Sequence, residues 1–347
     1  RPTDQGPAKG ELKLGEGGND ERRLLKPAAF SPAAFGITPQ KITLRGWTED
    51  RYPDRGRVYS DPVTLYVLTR DEHAQMLKSR FDRQITELED LARREQELLD
   101  ENKRLEKLDG AELQKEENRK RLENQEQEEA ETNRRMDDLT QRMEQLMKDA
   151  ARNGDIDKKT LQKMAESLKS MQELSQQDIP KVEQKLGDSQ EQSNTPEKTR
   201  KDVNEAAKEQ EKVVSKMQDA IEKATEANRR FEAGTFVNRL KKAASEQNGI
   251  VSSLKEAFDR MLGLKSPALD PPDTRRLTDN NRQQAQTASD VRWIQEDLGS
   301  YFARTKTESF KQILDDMRES KIDLGLEDVR AGLAANHSFE AAAQAKK

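Results

Sequence analysis

The chain has 347 residues, of which 62 are Lys or Arg, 67 are Asp or Glu and none is Cys, for a net charge of -5. The absence of cysteine excludes disulfides and thiolate metal sites, and scattered basic pairs such as Arg134-Arg135, Arg229-Arg230 and Lys241-Lys242 leave no continuous basic face for nucleic acid. No run reaches the eighteen or so apolar residues of a membrane span, and the start lacks the apolar stretch of a signal peptide.

Leu, Ile, Val and Phe together make only 63 of the 347 residues, a level at which disorder competes with folding. Ala, Glu, Lys, Leu and Arg make 165, close to the half expected of a long-helix protein, and the opposite charges nearly cancel. The charges are therefore read as the solvated surface of ordered helices. The first residue is Arg1 rather than Met, which suits an internal piece or a processed product.

Residues 1–40 are rich in Gly, Pro and small side chains and read as an irregular linker. From Lys41 the pattern alternates: Ile42 and Leu44 against Thr43 and Arg45, then a charged connection, then Val63, Leu65 and Val67 against Thr64 and Tyr66. This predicts a β-hairpin over 41–70 with two half-buried strands, marginal alone and expected to belong to a larger sheet.

Thr69 or Asp71 then caps a helix. Leu77, Leu91, Leu98 and Leu105 take one heptad position and Phe81, Leu88, Glu95 and Asn102 the other, with the two polar residues read as register devices or as a fraying end. Asp109-Gly110 interrupts. A second helix is expected from Ala111 to about Ala150, but between Gln114 and Arg135 only Leu122 and Ala130 are apolar, so this stretch reads as a solvated arm held by pairs of opposite charge. Packing resumes at Met136, Leu139, Met143, Leu146 and Ala150. After Asn153-Gly154-Asp155, the residues Leu161, Met164, Leu168 and Met171 give a returning helix.

Asp178 with Pro180 predicts the start of a short helix, and Asn194-Thr195-Pro196-Glu197 the start of the longest clean one. That helix carries the stripe Val203, Ala206, Gln210, Val213, Met217, Ala220, Ala224, Ala227, Phe231, which repeats every 3.5 residues as side-by-side helices require. Gly234-Thr235 is expected to reverse the chain into a further helix with Val237, Leu240, Ala244, Gln247, Val251, Leu254, Phe258 and Met261 on its seam. Pro267, Pro271 and Pro272 mark a linker over 266–278. In the C-terminal region, 279–347, Val291, Ile294, Leu298 and Tyr301, then Phe310, Leu314 and Met317, predict two less regular helices, with an Ala-rich helix start at the end. The expected fold class is mainly α: antiparallel helical hairpins or coiled coil over 71–265, with a short N-terminal β-hairpin.

No residue stands out as catalytic, cofactor-binding or metal-ligating. Residues 149–160 resemble a calcium-binding loop in outline, with Asp149, Asn153, Gly154 and Asp157 at matching places. Ala151 and Thr160 stand where oxygen ligands are needed, so the preferred reading is a helix-hairpin turn with Asp155 or Asp157 as a cap. His73 and His337 have no second ligand at helical spacing. No nucleophile elbow and no Gly-rich phosphate loop is present. Met136, Met143, Met164, Met171, Met217 and Met261 read as gap fillers between helices, and Trp293 as a core anchor.

The segment 42–77, ITLRGWTEDRYPDRGRVYSDPVTLYVLTRDEHAQML, resembles the end of an immunoglobulin-like or fibronectin-like domain running into a helix. The join resembles that of large uncharacterised bacterial membrane-anchored proteins, in which immunoglobulin-like segments precede a long helical region. The chain departs from that plan in lacking membrane spans and the earlier strands of the sandwich. The resemblance implies an envelope location, membrane contact only through segments outside this sequence, and a tethering or assembly role beside ATPase or von Willebrand-type partners. It brings no catalytic residues. The expected function is a nonenzymatic scaffold or spacer with no cofactor and no nucleic acid, working through protein partners or self-association. The alternatives are a cation-sensing module at 149–160 and a cytoplasmic coiled-coil filament.

Overall fold

A computed structural model describes residues 10–17, 30–50, 55–265 and 268–346, and divides the chain into a unit over 1–69 and a second over 70–347. The protein is mainly α-helical with a small N-terminal β part. The expectation at Pro267 lies outside the described residues.

In the first unit a short 3-10 turn, Pro32–Phe35, precedes four strands. Strand β1 (Gln40–Leu44) pairs antiparallel with β4 (Val63–Val67), and β2 (Trp47–Thr48) with β3 (Val58–Tyr59). The ladders are joined where Ser60 N donates to Gly46 O (2.8 Å) and Gly46 N to Ser60 Oγ (2.9 Å). The Arg57 guanidinium lies 3.9 Å over the Trp47 ring, with its Nε donating to Glu49 (3.1 Å). The alternation therefore forms a hairpin whose first strand is half-buried as expected, with Ile42 and Leu44 partly covered and Thr43 exposed, but whose second is not: Val63, Leu65 and Tyr66 are exposed and only Val67 is partly covered. A two-stranded ribbon has too little chain around it to cover either face fully.

The second unit begins with α1 (Arg70–Glu106), followed by the short α2 (Gly110–Leu113) and α3 (Glu116–Ala151). Every residue named for the two heptad positions of α1 is buried, Glu95 and Asn102 included. Asp109 caps α2 by accepting from Glu112 N at 2.8 Å. A Cβ on Gly110 would stand 2.1 Å from the Pro196 carbonyl oxygen, so only glycine lets these two backbones approach so closely.

After a turn in which Asp157 accepts from Lys159 N and Thr160 N, α4 (Lys158–Glu173) passes through one π-helical turn, Leu174–Asp178, into α5 (Ile179–Ser189). Asp178 is therefore not a helix start. Its backbone is helical, its side chain caps nothing, and Ile179 N reaches back five residues to Leu174 O. The wider turn lets the chain stay helical past Pro180, which has no N–H to give.

Helix α6 (Pro196–Met261) opens with Thr195 accepting from Lys198 N and runs for 66 residues, about 99 Å at the usual rise. The expected reversal at Gly234-Thr235 does not occur. Gly234 lacks a positive φ, and one glycine costs a helix only about 1 kcal/mol, far less than the packing on either side returns. The seam does shift there. On the N-terminal side every predicted position is buried, whereas beyond Gly234 Val251, Leu254 and Met261 are buried as expected but Phe236, Ala243, Ile250 and Ala257 take the inner places of Val237, Ala244 and Phe258, because the partner helices change.

Ion pairs and hydrogen bonds set directions. Glu87 with Arg142 and Glu101 with Arg121 run α1 against α3, Asn102 with Gln210 and Asp82 with Asn228 run α1 against α6, and Lys163 with Glu226 and Lys185 with Glu205 run α4–α5 against α6. The first bundle is thus four segments alternating in direction, α1, α3, α4–α5 and the first half of α6, around one continuous core. All six methionines named above are buried, five in this core and Met261 in the next.

The second half of α6 packs with α7 (Pro271–Thr305), α8 (Glu308–Glu319), α9 (Ile322–Ala335) and α10 (Ser338–Ala345). Helix α7 begins inside the stretch expected to be linker, since prolines suit a first turn, where no N–H is required. Phe236, Tyr301 and Phe310 form an edge-to-face cluster with centroids 4.7–6.2 Å apart. Trp293, expected as a core anchor, is 58% exposed: Val291, Ile294 and Leu298 take the inner face of α7 and leave position 293 outside.

Candidate functional site

The most unusual chemistry in the molecule is a layer of polar side chains inside the first bundle. Glu95 and Asn102 enter it from α1, Gln125, Glu129 and Thr132 from α3, and Gln210 from α6; Glu95, Asn102, Glu129 and Gln210 are 0% exposed. Asn102 Nδ2 donates to Gln210 Oε1 at 2.7 Å, and Gln210 Nε2 donates to Glu129 Oε2 at 3.1 Å. Three helices are thereby joined through one amide relay. Neither oxygen of Glu95, nor Glu129 Oε1, meets an N–H or hydroxyl donor among the described residues.

Two adjacent buried carboxylates cannot both stay ionised cheaply. Burial pushes Glu95 up to about 7, opposed by the neighbouring Gln210 and Glu129 side chains. Glu129 is raised well above the ordinary glutamate range by burial first, then by the charge of Glu95, with Glu183 of α5 adding a smaller push. A proton on one carboxyl makes it a donor to the other and satisfies oxygens that no amide reaches. The arrangement can bind and release a proton while linking α1 to α3.

Position 95, position 102 and Gln210 are legible as polar intrusions in apolar stripes. The α3 contribution is not a solvated arm, which corrects the expectation for 114–135: Asn118, Leu122, Gln125, Glu129 and Thr132 are all buried. Counting back from Ala150, Leu146, Met143, Leu139 and Met136 in steps of four and three lands on each of them, so register would have found what hydropathy hid.

The calcium-like outline at 149–160 is drawn apart by other partners. Asp149 pairs with Arg152 (3.4 Å) and Arg80 (3.8 Å), Asn153 donates its amide to Arg70 O (3.0 Å) and accepts from Asp155 N (3.0 Å), and Asp157 caps α4. Asp155 faces Arg70 (3.5 Å) beside a small recess between the start of α1 and the middle of α6. Among the described residues no three acidic or histidine side chains gather as a metal site would need. His73 Nδ1 lies 3.2 Å from Asn153 Nδ2, at the joint between α1 and this turn, and His337 stands between α9 and α10. Among the described residues no helix is long and apolar enough to cross a membrane. The chain matches no protein-family model, no curated protein and no solved structure.

Proposed function

We propose that this chain is a nonenzymatic helical scaffold or spacer that works through helix-helix and protein-protein contacts. The observation that carries this reading is α6: one helix of 66 residues contributes its first half to one core and its second half to two further apolar clusters, so that the helices packed along it share a single stiff axis. A helix clamped on both sides transmits distance and orientation better than two domains joined by a loop. Placement in the bacterial cell envelope rests on the resemblance of residues 42–77 alone.

The absence of cysteine makes the mechanical premise testable by paired spin labels. Labels at Lys208→Cys and Lys241→Cys flank Gly234 on exposed positions of α6. The expected outcome is one narrow distribution near 50 Å. A broad or much shorter distribution would remove the shared axis, and the spacer reading with it. Sedimentation velocity separates a monomer, whose seams are closed within one chain, from a self-assembling filament.

A further inference from the structure

We propose that Glu95 and Glu129 form a proton-held clasp between α1 and α3, closed while a proton is shared by the two carboxyls and loosened when that proton leaves, so that pH sets the stability of the middle of the first bundle. The geometry carries this. The two side chains come from antiparallel neighbours, are fully buried, and retain three oxygens without an N–H or hydroxyl donor among the described residues. Gln210 fixes the remaining Glu129 oxygen, and Asn102 in turn fixes Gln210.

Among the described residues, cations on the helices around the layer are engaged by other carboxylates. On α1, Arg94 pairs with Glu128 and also faces Glu131 (3.8 Å), and Lys103 pairs with Glu211 of α6 (2.7 Å). On α5, Lys185 pairs with Glu205 (2.7 Å), and on α6, Lys212 pairs with Glu209 (2.6 Å). Glu183 of α5 adds negative charge. Each of these cations is thus bound to another carboxylate, which leaves a proton as the group that can neutralise the pair.

Direction follows from linkage. Burial holds Glu95 up to about 7 and Glu129 well above its ordinary value of 4.5. Above 4.5 the unfolded chain releases protons that the folded chain still holds, so the pair's contribution falls as pH rises through about 7 and, for Glu129, beyond. Below 4.5 both states are protonated and the pair gives no further dependence.

The test uses the full chain. The thermal midpoint of the first bundle should drop by about 5 °C or more between roughly pH 5.5 and 8.5, and the Glu95→Gln/Glu129→Gln double variant should lose most of that drop. An equal drop in both proteins would overturn the clasp. Should the variant fold poorly, a 13C titration of the native chain labelled at glutamate Cδ decides independently. At least one carboxyl resonance should titrate above about pH 6, and titration of every glutamate below about pH 5.5 would overturn the proposal.

Discussion

The two bundles on α6 solve the same problem differently. Both bury polar side chains among short-looped helices, but the second ties its amides to neutral partners, with Gln247 donating to Gln284 Oε1 (2.8 Å), Gln284 to Leu326 O (2.9 Å), and Asn336 to Met261 O (3.1 Å) and Leu264 O (2.8 Å), and pairs its buried carboxylate, Asp273, with Arg260 (2.9 Å). The first bundle places two carboxyls where neutral amides would have been simpler. Amide links to backbone carbonyls are indifferent to pH, whereas a carboxyl pair is an acceptor, a donor or a repulsion according to its protonation. The contrast shows that register can be set by polar cores of two kinds, one fixed and one titratable.

The largest disruption of this comparison comes from the apolar side of the first bundle. Replacing Val213 and Met217, both 0% exposed, by Asp buries two unpaired charges and should cost about 5 kcal/mol or more, enough to abolish its cooperative melt. Circular dichroism should then show residual helix from the second bundle; unchanged helicity and melting would show the seam assignment to be wrong.

A smaller loss tests how the bundle is closed. Gly110→Ala places a methyl group against the Pro196 carbonyl, and forcing α2 off the start of α6 should cost about 1–3 kcal/mol, read as a lower denaturant midpoint. An unchanged midpoint would mean that the two backbones are not in contact. In the second bundle, Asn336→Ala removes both amide bonds and puts alanine at φ 58°, for about 2–3 kcal/mol in all. Asn336→Gly keeps the left-handed turn and should recover the backbone part alone. Neither variant should alter the pH dependence of the first bundle if the two cores respond separately.

The smallest effect carries the opposite sign. A Cβ at Gly234 would meet only Asp157 Oδ2, at an ordinary 3.7 Å, so Gly234→Ala should stabilise the chain by about 0.5–1 kcal/mol. Destabilisation would restore a chain reversal at that point.

Much of the architecture was legible because the heptad period reports directly on which helix face is buried. Leu77 to Leu105 on α1 and Val203 to Phe231 on α6 needed no tertiary information, and Thr195-Pro196 marked a true start through N-cap chemistry. Local breakers were less reliable. Gly234 and the Asp178-Pro180 pair read as boundaries, yet packing on both sides kept each inside continuous helix, the latter through a π turn. Half of the candidate site was visible at positions 95, 102 and 210. Its α3 half was hidden because hydropathy assigns Gln125 and Glu129 to solvent, and only register along the same helix places them inside.

What the amino-acid order determined by itself was the set of helices and most of their inner faces, since periodicity and caps act over a few residues. Tertiary structure alone decided where helices continue, which partners change at Gly234, that Trp293 faces outward, and that two carboxyls end up side by side. Those outcomes depend on what lies opposite a residue, and a side chain's neighbours across a bundle are set by the packing of distant segments rather than by its own surroundings in the chain.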